Sequence, residues 1–135
     1  MLFTHSITTG RGDNIFEITG LVRSSVRRSG ILSGICHLVV PHTTAGITVN
    51  SCMDPNTLVD LLGEIKRIVP TRVDFVHTFD TPADAAGHIK STLVGTHVAV
   101  IVEAGDLLLG SSQGIFFCEF DGPRERTVYA KLLAG

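Results

Sequence analysis

Thr96-His97-Val98-Ala99-Val100-Ile101-Val102, Glu103-Ala104-Gly105-Asp106 and Leu107-Leu108-Leu109 form the stretch whose reading decides the fold. A β-branched apolar run meets a Gly-Asp turn signal and is followed at once by a second apolar run, the pattern of two strands joined by a tight turn. A loop, Gly110 to Gly114, leads to a strand over Ile115 to Phe120. Asp121-Gly122-Pro123 then turns the chain into a last strand, Arg126 to Leu133. Strands joined through such short connections predict a mainly antiparallel sheet.

Upstream, Leu2 to Thr8 reads as a first strand and Arg11-Gly12-Asp13-Asn14 as a turn. Ile15, Ile18, Val22 and Val26 lie three or four apart, which predicts a helix from Asn14 to Gly30, with Thr19 as a cap and Gly30 as the stop. Ile31 to Pro41 is too apolar for a strand with one wet face and reads as a central strand, with Gly46 to Asn50 beside it. Asp54-Pro55 opens a second helix striped by Leu58, Leu61, Leu62 and Ile65 and ended by Pro70. Asp84 to Leu93 reads as a third. Helices intermixed with turn-linked strands predict one α+β domain over 1–135: a mixed, mainly antiparallel sheet with about three helices packed on it.

The 135 residues suffice to bury a real core without a staple. A charged share of 18% beside a hydrophobic share of 44% points to further burial between copies of the chain. A formal net charge of −2 and no basic tail argue against a nucleic-acid partner. Arg23 to Arg28 reads as the wet face of a helix. Three cysteines, Cys36, Cys52 and Cys118, without a Cys-x-x-Cys pair, favour a reducing compartment. No apolar run reaches 18 residues and the N-terminus lacks a signal-peptide pattern, so a cytoplasmic protein with no membrane partner is expected. The Arg11-Gly12-Asp13 triplet is therefore set aside as an adhesion motif.

The chemistry gathers around histidines. Pro41-His42-Thr43-Thr44-Ala45-Gly46 is a polar loop at a strand end; His42 can ligate a metal or move a proton, and the Thr43 and Thr44 amides can face an anion. The bland alternative is a turn closed by its own hydroxyls. His77 ends an extended segment, and His88 sits on the third helix beside Ile89. If folding gathers His42, His77 and His88, three imidazoles with an open position form a ligand set for zinc or a similar ion, with Asp80 or Asp84 as a carboxylate partner. His5, His37 and His97, inside strands, are expected to be structural. In the loop Gly110-Ser111-Ser112-Gln113-Gly114, the glycines permit close approach of a ligand. Glu119, late in an apolar strand, requires a partner if buried; Arg124 and Arg126 are near enough in sequence to neutralise it or to bind a phosphate.

The run His42 to Asn50 followed by Asp54-Pro55, then His77, His88-Ile89-Lys90-Ser91, Leu107 to Ile115 and Glu119 to Arg124, resembles the YjbQ-type family, often called secondary thiamine-phosphate synthases, across nearly the whole chain. The resemblance implies a small α+β fold, a homotrimer, and a pocket lined by His42, His77 and His88 with Asn50, Asp54, Gln113 and Glu119 as company. It also implies joining of phosphorylated pyrimidine and thiazole precursors. Three positions depart from the family pattern: Ser51 stands for its Glu, Asp80-Thr81-Pro82 for its Glu-Gly, and Ser112 for its loop Trp.

Three functions follow as expectations. The first is an enzyme coupling small phosphorylated metabolites, with catalytic His42, His77, His88, Asn50, Gln113 and Glu119. Thr43, Thr44, Asp54, Lys90, Ser112 and Arg124 would line its ligand, and a divalent metal, zinc or magnesium, would sit on the three histidines. The second is a metal-assisted hydrolase of a phosphorylated or acyl metabolite. The third is a trimer that binds a metabolite or anion without turnover.

Overall fold

A computed structural model describes residues 1–135. The order is β1 (Leu2–Thr8), β2 (Gly12–Glu17), α1 (Thr19–Ser29), β3 (Gly34–Val39), β4 (Ala45–Ser51), α2 (Pro55–Ile68), α3 (Pro82–Val94), β5 (His97–Glu103), β6 (Asp106–Leu107), β7 (Gln113–Gly122) and β8 (Glu125–Ala134). The α+β class and the three helices are as expected, but the strands divide between two sheets: β1-β8-β3-β5-β6 and β2-β7-β4. Every pairing is antiparallel.

The two sheets and α1 close on one apolar core. Val22 and Val26 of α1 meet Leu38, Val102, Val128 and Leu132 of the larger sheet and Ile47, Ile115 and Phe117 of the smaller one. Of the larger sheet's outward side chains, Ile35, Ile101 and Leu133 stay 46%, 55% and 52% exposed, so this face is left without a cover in the single chain.

The helix expected from Asn14 to Gly30 begins only at Thr19, and the residues before it form β2. Ile15 and Phe16 pair with Cys118 and Phe117 of β7. The helical spacing of Ile15 and Ile18 is an accident at the junction of a strand and a helix, and sheet pairing overrides it. Thr19 is not the cap either: its Oγ1 accepts from Ile115 N at 2.8 Å and donates to Glu17 Oε2 at 2.7 Å, which ties the helix start to β7. Gly30 does end α1, at φ 71°, where a side chain would be strained. The Asp54 cap on Asn56 N, 2.9 Å, is as expected. α3 starts two residues earlier than expected, with Thr81 as cap and Pro82 in its first turn; this frees Asp84 from capping and turns it inward.

Gly87 lets α3 seat on the smaller sheet. A Cβ there would stand 3.0 Å from Phe120 O and 3.2 Å from Thr44 Cβ, tighter than the neighbours can easily give. The close approach brings His88 against the loop between β3 and β4.

Candidate functional site

α3 carries Asp84 and His88 one turn apart, so both side chains share a face. The irregular segment before α3 brings His77 to the same point. His77 Nε2 lies 3.0 Å and His88 Nε2 3.1 Å from Asp84 Oδ2, and the two rings meet edge-on at 5.2 Å. The ligand atoms of His77, Asp84 and His88 all lie within 4.8 Å of one another. Burial pushes the Asp84 carboxyl up, but the two imidazoles outweigh it and hold it below the usual range.

Proton bookkeeping sets the chemistry of this cluster. His88 Nδ1 lies 3.2 Å from the carbonyl of Thr43, which only accepts, so Nδ1 carries the proton. A neutral His88 then aims the lone pair of Nε2 at a carboxylate oxygen. Two acceptors at 3.1 Å repel unless a cation, either a proton or a metal ion, lies between them. Imidazole and carboxylate atoms bound at about 2.0–2.2 Å to one tetrahedral zinc-type ion stand roughly 3.3–3.6 Å apart, a little more than the 3.0 and 3.1 Å seen here, so a slight opening of the cluster lets this donor set hold such an ion.

His42 lines the adjoining cleft, a space of about 630 Å³, together with Thr43, His88, Thr92 and Thr96. His42 Nε2 accepts the Thr127 amide at 2.8 Å. The one lone pair of its neutral ring is thus spent on the backbone, and Nδ1 is left as a donor. Burial first, then the Arg126 guanidinium, pushes the imidazole below its ordinary value, with Glu119 pulling the other way. Of the three histidines read as ligands, the structure brings His77 and His88 onto one carboxylate and turns His42 to a backbone amide.

The other candidate residues are distributed as follows. Arg124 Nη2 donates to Asp121 Oδ2 at 2.7 Å, and its charge is favoured further by Asp80 and Asp84; it is the cation beside the cluster. Thr44 is buried and accepts from Arg126. Lys90, 2% exposed, gives its ammonium to Asp13, which also removes Asp13 from the exposed Arg-Gly-Asp turn. Glu119, 0% exposed, pairs with Arg126. Asn50 Oδ1 accepts the Ser51 amide at 2.7 Å, and Gln113 Oε1 accepts the Gly110 amide at 2.8 Å. The Ser112 carbonyl accepts from Cys52 N at 2.8 Å, and Asp54 caps α2. None of these last four lines the cleft.

His5 shares a hydrogen bond with Ser25, and His37 with His97 at 3.2 Å, as expected for strand histidines. Burial pushes the thiols of Cys36 and Cys118 up to about 11 and about 12, which makes both inert. No helix is long and apolar enough to cross a membrane.

An α+β fold whose helix presents Asp84 and His88 to a histidine of the preceding segment matches the family model described as UPF0047 protein YjbQ-like, over residues 3–135. The chain belongs to this family. It is similar to the UPF0047 protein YugU of Bacillus subtilis, 43% identical over 135 residues, covering 98% of this chain and 99% of that one. A UPF0047 protein of Methanocaldococcus jannaschii is 41% identical, covering 98% and 94%. Among solved structures, a yjbq/upf0047 family protein of Clostridium acetobutylicum superposes with a TM-score of 0.91 at 39% identity, covering 97% and 99%. A hypothetical protein of Aeropyrum pernix superposes with a TM-score of 0.93 at 31% identity, covering 100% and 99%.

Proposed function

We propose that this chain is an enzyme that acts on a small phosphorylated molecule with the help of a divalent ion held by His77, Asp84 and His88. The observation that carries the reading is the convergence of His77 Nε2 and His88 Nε2 on Asp84 Oδ2, at 3.0 and 3.1 Å, with His88 Nδ1 facing the Thr43 carbonyl, an arrangement that calls for a proton or a metal ion between imidazole and carboxylate. A bound zinc or magnesium ion would neutralise charge on phosphate oxygens or on a leaving group. Arg124, close enough to Asp84 and Asp80 to feel their charge, supplies a second positive group for a phosphate. His42 offers its Nδ1–H as a donor to a substrate in the cleft, and the Thr43, Thr92 and Thr96 hydroxyls give that space a neutral polar wall.

The reaction to test first is the coupling of the phosphorylated pyrimidine and thiazole halves of thiamine. There the carbon–oxygen bond to pyrophosphate breaks and the thiazole nitrogen bonds to the same carbon. Product formed by the wild-type chain with zinc or magnesium, and lost in Asp84→Asn and His88→Ala, is the expected result. Equal product from these variants would refute the assignment.

Metal-assisted hydrolysis is the second reading, because no lysine or arginine lines the cleft itself, and Arg124, outside that lining and beside the ion cluster, is less than a pyrophosphate cradle needs. Release of phosphate or carboxylate from simple esters separates it from coupling. Ion and metabolite binding without turnover would support the non-catalytic alternative.

Association of copies, as a homotrimer, is part of the proposal. Val73, Val76 and Phe79, on the segment that carries His77, are 91%, 99% and 96% exposed in the single chain, which supports their burial against another copy. Three free thiols, two of them buried, support a reducing, cytoplasmic setting.

A further inference from the structure

The carbonyl that holds His88 belongs to a segment that is itself held. Arg126 Nη2 donates to Thr44 O at 3.1 Å and to Thr44 Oγ1 at 2.8 Å, and the next amide, Thr127 N, donates to His42 Nε2 at 2.8 Å. Thr44 O also accepts from Phe120 N at 3.0 Å. Two consecutive residues of β8 thus pin both sides of Thr43, whose carbonyl accepts the hydrogen bond of His88 Nδ1. The guanidinium is aimed in turn by Glu119: Arg126 Nε donates to Oε1 at 2.8 Å, and Nη2 donates to Oε2. Thr9 Oγ1 and the Asp121 amide fill the remaining capacity of that carboxylate.

A buried ion pair is a poor device for stability alone, since well-packed apolar residues often do as well or better. Here a donor of the pair is shared with the His42–Thr44 loop, and neither Glu119 nor Arg126 reaches the cleft or the carboxylate–imidazole cluster. Loss of a group that orients a ligating imidazole through its other nitrogen, the place the Thr43 carbonyl holds here, typically costs about 10–100-fold in ion affinity.

We infer that Glu119 and Arg126 are positioning residues of the ion site: through Thr44 and the Thr43 carbonyl they fix the proton of His88 on Nδ1 and so present Nε2 to the ion. The inference rests on the ion reading proposed above.

The test is zinc titration of the full chain by chelator competition, paired with the solvent-exchange rate of the His88 Nδ1 proton in the zinc-loaded protein by NMR. The double variant Glu119→Met/Arg126→Leu removes both charges together and is expected to keep its thermal midpoint. Its zinc affinity should fall about 10–100-fold, with faster exchange of the Nδ1 proton. Arg126→Lys, which keeps a charge against Glu119 but loses the fork, should fall between the double variant and the wild type. Should the double variant not fold, Thr44→Val removes one acceptor of Arg126 and gives the same changes at the lower end of that range. Wild-type affinity and exchange in a folded double variant, or in Thr44→Val, overturn the inference and leave the ion reading standing. A wild-type chain that takes no zinc overturns both.

Discussion

Asp84 and His88, one turn apart on α3, place a carboxylate oxygen 3.1 Å from an imidazole nitrogen whose partner nitrogen already donates to Thr43. A cation relieves this contact, so zinc should stabilise the fold. At a hundredfold excess over the dissociation constant the gain is about 2.7 kcal/mol. Asp84→Asn keeps the shape and removes the charge. Calorimetric titration with zinc should give binding and a raised melting temperature for the wild type, and neither for the variant.

Glu119 is fully buried against Arg126. Burial pushes its carboxyl up, but Arg126, Thr9 and the Asp121 amide hold it below the usual value near 4.5. Its folded pKa is thus depressed. The stability it contributes is present above the unfolded value and is lost as pH falls through the lower folded value. Arg126→Leu alone strands the carboxylate and should cost about 3–5 kcal/mol at neutral pH in urea unfolding. That deficit should shrink in acid as Glu119 takes up a proton.

His42 titrates the other way in charge but with the same sign in stability. Its folded imidazole lies below 6.5, first because of burial and then because of Arg126. The unfolded chain therefore binds more protons in the window below 6.5, and stability is lost as pH falls through it. His42→Gln retains an acceptor for the Thr127 amide and should flatten this part of the pH–stability curve. His42→Ala leaves the half-buried amide without its partner and should cost about 1–2 kcal/mol.

Lys90 and Asp13 form a second buried pair, joining α3 to β2. Lys90→Met should destabilise by about 3 kcal/mol or more because it leaves Asp13 nearly buried and unpaired, while Asp13→Leu/Lys90→Met should recover most of the loss. Chemical denaturation of the three proteins tests this. A phosphate-binding role for Lys90 would instead show as lost substrate affinity in a fully stable single variant.

Val73, Val76 and Phe79 lie almost wholly in solvent in the single chain. Val76→Ser/Phe79→Ser should shift light-scattering mass toward the monomer without lowering the stability of the monomer fold. An unchanged mass would exclude this segment from the interface.

Much of this architecture is legible in the sequence, because local signals agreed with tertiary demands. Asp54-Pro55 and Gly30 bound helices in the protein as they do in isolation, and the Gly-Asp turn before Leu107 joins the pair it predicts. β2 was hidden because Ile15, Ile18 and Val22 run across a strand–helix joint at helical spacing, and only pairing with β7 decides the matter. The second sheet is equally invisible, since partner choice is not local. In the site, His77 and His88 are marked by residue type. The Asp84–His88 pair is written in a four-residue spacing, the clue by which the carboxylate can be ranked above His42. The role of Arg126 and Thr127 has no such mark: a backbone amide and a guanidinium reaching the His42–Thr44 loop across 82 to 85 residues of chain follow only from the fold.

The segment before α3 carries two kinds of side chain with different appetites. His77 reaches inward to a carboxylate, while Val73, Val76 and Phe79 reach outward. Whatever steadies the strap at one of these ends lowers the entropy that must be given up at the other. If the chain takes the proposed ion and associates through this segment, the two events would be reciprocally coupled. On that reading, dilution should weaken zinc binding and chelation should loosen the assembly.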